Sequence, residues 1–162
     1  MNIYALSSGP GVSGIAVFRI CGSETSKIIK LLTNSTVPRP RFATLRKINK
    51  IGTSELIDEG IILWFPGPES YTGEDMAEIH VHGSKAVIDA LNETFSTIEN
   101  CRIAEPGEFT KLAFQNGKIN LLKAESIADL ILSETEIQRK QAIKIMNGRS
   151  ADEFNFLREK LL

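Results

Sequence analysis

The 162-residue chain is patterned on two periods, and the change falls at Asn116-Gly117. Ahead of that point, short β-branched and aromatic runs are broken by glycine and proline, which suits a sheet carrying a few helices. Behind it, apolar residues recur at helical spacing: Leu121, Ala124, Ala128 and Ile131, then Ala142, Ile145 and Met146. A single switch of this kind, late in the chain, implies an α+β domain with a mixed sheet followed by an all-α arm. The expected division is 1–118 and 119–162.

Within the first part, strands are expected at Asn2–Leu6, 14–20, 43–51, 59–65 and 102–104. Between 76 and 82 the alternation sets Ala77, Ile79 and Val81 on one face and Glu78, His80 and His82 on the other. Ser23 is a candidate cap for a helix with Ile28, Ile29, Leu31 and Leu32 on its apolar side, and Pro38 and Pro40 forbid its continuation. Ser84 opens a second helix, with Val87, Ile88, Leu91 and Phe95 inward, and a third covers about 108–115. Past the Asn-Gly turn, one continuous helix over 120–147 is expected, closed by Gly148. Ser150 and Glu153 form a capping box for another helix, with Phe154, Leu157 and Leu161 in register, still running at Leu162. So long an apolar stripe asks for a covering surface, either from elsewhere or from a second copy.

Apolar residues make up 42% of the chain, enough for a core, and 19 basic against 20 acidic residues leave a net charge of -1. That balance argues against a globally basic nucleic-acid or membrane-surface binder. The apolar run at 61–66 is too short to span a bilayer, and no basic segment precedes the first apolar residues as in a secretory signal. Two cysteines, Cys21 and Cys101, cannot make a disulfide framework, so a reduced, cytoplasmic setting is expected. The near-neutral total hides a segregation: residues 25–54 hold seven basic side chains and no acid, whereas 55–108 hold twelve acids and two bases. These blocks either interleave and cancel in the fold, or leave a basic face that meets RNA directly.

The run Gly9-Pro10-Gly11-Val12-Ser13-Gly14 satisfies G-x-G-x-x-G. Its third glycine opens the strand-like GIAVFRI rather than a helix, so a tight turn or close backbone approach is expected instead of a dinucleotide site. There is no nucleotide-binding P-loop. His80, His82 and the two cysteines lack zinc-ligand spacing, and neither a metal site nor a catalytic residue is assigned. Three charges stand out. Arg19 and Glu78 lie inside apolar strands, and Lys118 follows the Asn-Gly turn. Charges so placed must reach solvent, pair with each other or meet a ligand, because burying them alone is costly.

Three segments, SSGPGVSGIAVFRICG, FPGPESYTGEDMAEIHVHG and AEPGEFTKLAFQNGKINLLKAESIADLI, together resemble the N-terminal part of the MnmE (TrmE) family of bacterial tRNA modification GTPases. The resemblance runs over nearly all of residues 1 to about 132. It implies a folate-binding domain similar to the aminomethyltransferase of the glycine cleavage system, followed by a helical domain that in the family is interrupted by a GTPase module. The implied cofactor is 5-formyltetrahydrofolate, as one-carbon donor for carbon 5 of a tRNA wobble uridine. GTP, Mg and K belong to the GTPase module, which is absent from this sequence. Implied partners are a second copy in a homodimer, the FAD-dependent MnmG (GidA) and, indirectly, tRNA, with no membrane. By motif position the folate contacts fall on Arg19, Glu78 and Lys118, with Gly11, Gly14 and Tyr71 as further candidates. Ser84 departs from the second glycine of the usual HGG, and Cys21 stands where serine is common. Without the GTPase module and the family's C-terminal cysteine motif, this chain by itself is not expected to hydrolyse GTP or to complete the modification. The rival expectation is an assembly module that dimerises without binding folate on its own.

Overall fold

The computed structural model describes residues 1–9, 11–53, 55–148 and 160. Two compact units divide the chain, Met1–Phe109 and Thr110–Leu162.

The first unit is a six-stranded mixed sheet with two helices. Its strands are β1 (Asn2–Leu6), β2 (Ser13–Cys21), β3 (Thr44–Asn49), β4 (Leu56–Phe65), β5 (Met76–Gly83) and β6 (Cys101–Ile103). They lie in the order β3-β4-β5-β2-β1-β6, so β5 and β2 are central. Every pairing is antiparallel except β1 with β6. Gly14 falls inside β2, near a register shift between Ser13 and Ala16, so the glycine run leads into a strand.

The core lies on one face of this sheet. Phe18 and Ile20 of β2, Ile79 and Ala77 of β5, and Ile62 of β4 are fully buried there with Tyr4. Helices α1 (Thr25–Thr33) and α2 (Lys85–Ser96) contribute Ile28, Ile29 and Leu32, and Leu91 and Phe95, to the same cluster. The Phe95 ring sits 4.6 Å from Tyr4 and 5.7 Å from Phe18, tilted against both. Period-two alternation sends the intervening residues, Arg19, Glu78 and His80 among them, to the opposite face.

The caps follow the sequence in one helix and depart from it in another. The Ser84 hydroxyl accepts from the Val87 backbone N–H at 3.2 Å and starts α2 as expected. α1 begins later than its expected Ser23 cap: Glu24 holds the cap position with no side-chain cap bond. Asn2 instead ties down that end, accepting from the Glu24 N–H at 2.9 Å, a contact only the fold supplies. Leu31, placed on the apolar side by spacing, is exposed.

α3 (Glu108–Gln115) ends where the sequence indicated. Gly117 adopts φ +68, and the N–H groups of Gly117 and Lys118 donate to the carbonyls of Phe114 and Ala113. This is a complete Schellman closure, and it needs the positive φ that glycine supplies without strain.

The single helix expected over 120–147 is in fact two. α4 (Leu121–Ile131) is capped by Asn120, and α5 (Glu136–Met146) packs on it. The break is chemical. The Thr135 hydroxyl accepts from the Gln138 N–H, and the Gln138 side chain accepts from the Thr135 N–H at 3.0 Å, a capping box that ends the preceding run. Gly148, at φ +84, follows the Asn147 cap of α5 as expected. The helix expected from Ser150 onward lies outside the described residues. No described helix is long and apolar enough to cross a membrane.

Candidate functional site

Arg19 and Glu78 face each other across the two central strands, because the β2–β5 register makes them direct partners. Arg19 Nη2 and Nε donate to Glu78 Oε1 at 2.7 and 3.2 Å. Both are part-buried, their side chains 29% and 19% exposed. The two charges are therefore an ion pair on the sheet face opposite α1 and α2, where water, partner or ligand still reaches them.

Two aromatic rings lie near the guanidinium. Its Cζ lies 5.9 Å from the Tyr71 ring centre and 5.6 Å from that of Phe109. These rings confine the Arg19 side chain and supply apolar surface beside a charge. Tyr71 is held by the 66–75 loop, itself internally braced. The Gly67 N–H donates to the Asp75 carboxylate at 2.9 Å, the Gly73 N–H donates to the Ser70 hydroxyl at 3.0 Å, and that hydroxyl donates to the Glu74 carbonyl.

His80 completes the row. It is two residues from Glu78 on the same face, and its Nε2 stands 3.5 Å from Glu78 Oε2. That nitrogen is buried and has no hydrogen-bond partner in the described structure. Since Oε1 takes both Arg19 bonds, Oε2 keeps acceptor capacity beside an unmatched ring nitrogen. The part-exposed Glu78 carboxylate is thus the acceptor this face offers to a ligand edge with polar groups side by side, and the buried ring nitrogen stands behind it. The sequence placed His80 on the Glu78 face without singling it out, although period two alone marks it as a neighbour. Phe109 had no comparable signal.

The remaining candidates belong to other segments of the chain. Gly11 (φ +113) and Gly14 lie toward the other end of β2. Gly14 is five positions from Arg19, roughly 15 Å along the strand. A Cβ built on either glycine meets nothing within 4 Å, so their backbones are open to close approach. Lys118 belongs to the second unit, at the Schellman closure of α3.

The other reactive side chains are quiet. Burial pushes the Cys21 thiol up to about 11 despite the Thr72 hydroxyl at 3.0 Å, and burial likewise raises Cys101 to about 11. Neither is thiolate near neutrality. Exposed His82 contacts Asp58, Nδ1 to Oδ1 at 2.9 Å, away from the Arg19 pair.

The family model of the GTP-binding protein TrmE N-terminus matches residues 2–118. Over its full length the chain is 79% identical to the tRNA modification GTPase MnmE of Pelagibacter ubique, covering 37% of that protein. It is 45% identical to the MnmE of Rhodopseudomonas palustris over 99% of the chain and 36% of the relative. To the mitochondrial 5-taurinomethyluridine-tRNA synthase subunit GTPB3 of Danio rerio it is 48% identical, over 91% of the chain and 29% of the relative. The chain thus spans only about a third of the length of these relatives. It belongs to the TrmE N-terminus family, the N-terminal domain of MnmE-type tRNA modification GTPases.

Proposed function

We propose that the sheet domain binds a reduced folate, 5-formyltetrahydrofolate, through Arg19 and Glu78, as the one-carbon site of a tRNA wobble-uridine (carbon 5) modification enzyme. The observation that carries this reading is the Arg19–Glu78 pair, its guanidinium within about 6 Å of two aromatic ring centres and Glu78 Oε2 beside the unmatched Nε2 of His80. The donor set fits the group. A pterin presents a ring N–H beside an exocyclic amine, which a carboxylate accepts as a two-point contact. The bound folate supplies the one-carbon unit. The protein's own residues orient it: Glu78 fixes one edge, Arg19 or Lys118 answers the anionic glutamate tail, and Tyr71 offers a ring face. Gly11 and Gly14 admit close approach of the backbone. The same reading gives the domain an architecture similar to that of the glycine-cleavage aminomethyltransferase, another one-carbon protein.

The same reading makes the domain a homodimerisation unit. Leu45 and Ile61, cross-strand neighbours on the Arg19 face, are 60% and 38% exposed and supply apolar surface for a second copy. GTP hydrolysis, the FAD-dependent MnmG partner and completion of the tRNA modification are assigned to the longer protein, in the cytoplasm.

Calorimetry with 5-formyltetrahydrofolate tests the site. Glu78→Gln keeps the side-chain shape but removes the anionic acceptor, and should weaken binding about tenfold. Undiminished affinity in this variant sinks the role. A clean dimer by sedimentation with no heat from folate favours the assembly module instead.

A further inference from the structure

The basic block at 25–54 is only partly cancelled by the fold. Lys27 pairs with Glu24 at 3.4 Å and Lys50 with Glu93 at 3.2 Å. Arg39, Arg41, Arg46 and Lys47 make no ion pair with any described residue, although β4 brings acids alongside β3.

Two of these arginines share one rigid turn, Pro38-Arg39-Pro40-Arg41-Phe42. The Phe42 N–H donates to the Arg39 carbonyl at 3.2 Å, with Pro40 and Arg41 between them. Arg41 has φ +63. A turn with proline second and a positive φ third is of type II, and its third position favours glycine. An arginine there is strained, and strain of this kind gathers at ligand clamps. It is held by tertiary contacts, the Arg41 N–H to the Trp64 carbonyl at 2.8 Å and its guanidinium to the Glu69 carbonyl.

The exposed Arg39 guanidinium lies over Phe42, its Cζ 4.2 Å from the ring centre, and Phe42 is itself 52% exposed. That contact takes no N–H donor out of use, and these are the groups that read phosphate oxygens in pairs. Two preordered guanidinium groups, neither neutralised by a described carboxylate, beside an exposed ring match a polyanion with stacking faces. An anionic membrane is a poorer fit, because it recruits broad polybasic segments and this chain carries a net charge of -1. Through Glu69, the turn is tied to the 66–75 loop that carries Tyr71.

We infer that the Pro38–Phe42 turn is an RNA contact, in which Arg39 and Arg41 hold backbone phosphates and Phe42 offers a surface to an unpaired base. It rests on the tRNA-modification reading for the choice of RNA, and not on folate binding.

The test uses a labelled anticodon stem-loop RNA, followed by fluorescence anisotropy over a salt series. Arg41→Gly installs the residue the turn favours, so the thermal midpoint should hold or rise while RNA binding weakens. Arg39→Ala is the second variant, since the Arg39 side chain makes no hydrogen bond in the described structure. The double variant should bind about tenfold more weakly. The slope of log affinity against log salt should flatten by about 0.7 for each lost phosphate contact. Unchanged affinity and slope in both variants overturn the proposal. So does loss of binding to phosphatidylserine vesicles with RNA binding intact. Folate heats measured on the same proteins keep the two readings apart: this turn stands if they are absent in the wild type and the RNA effects remain.

Discussion

The two units use apolar residues in opposite ways. In the sheet domain a continuous cluster from Tyr4 to Phe95 is enclosed between one sheet face and two helices. In the helical unit the described helices bury little beyond Ala113, Ser126 and Ala142, while Leu121, Ile131 and Ile137 are exposed. A sheet and two helices surround a volume, whereas two short helices have only one mutual seam. The first unit thus holds its own stability, and the second presents a surface suited to association.

The largest effect that sharpens this contrast is expected at Phe95, which is fully buried against Tyr4 and Phe18. Phe95→Ala should cost about 3–5 kcal/mol by urea denaturation. Ile137→Ala, at a site 78% exposed, should cost less than about 0.5 kcal/mol. Comparable losses would break the comparison and show that the helical face is covered in solution.

Next in size is the cap between α4 and α5. Thr135→Ala removes the hydroxyl that accepts from Gln138, and should destabilise α5 by about 1 kcal/mol. Faster amide exchange in the first turn of α5, with the sheet domain unaffected, is the expected signature. Unaltered exchange would mean that packing, not the capping box, starts this helix.

The smallest effect is a pH dependence confined to the sheet domain. Burial alone would raise the Asp58 carboxyl, but hydrogen bonds from the His82 backbone N–H, the His82 ring and the Glu59 N–H hold it below the usual range. A carboxyl lowered in the folded state contributes its stability fully above the unfolded value, about 3.9, and loses it as pH falls through the folded one. Asp58→Asn should therefore flatten the acid limb of the stability curve and leave the slope near neutrality alone. An unchanged acid limb removes Asp58 from the account.

Alternation made strand β5 legible, and made Glu78 conspicuous among Ala77, Ile79 and Val81. The capping box at Thr135 and Gln138 was equally present in the sequence, yet the apolar period continues through Ile131 and Leu132 and masks it. Ser23 illustrates the opposite failure: a good local cap was displaced because Asn2, distant in sequence, reaches the Glu24 N–H. Around the ion pair, Arg19, Glu78 and Tyr71 come together, Gly14 lies farther along β2 with Gly11 just ahead of that strand, and Phe109 enters without any local cue.

Local patterning therefore determined which segments become strands and helices, and which charges sit where charges are costly. Those properties depend on neighbours within a few residues. Tertiary structure decided that Arg19 and Glu78 pair, because only the β2–β5 register places them opposite. It also decided that Arg41 adopts a glycine-like conformation, because that strain persists only while Trp64 and Glu69 hold the turn from outside.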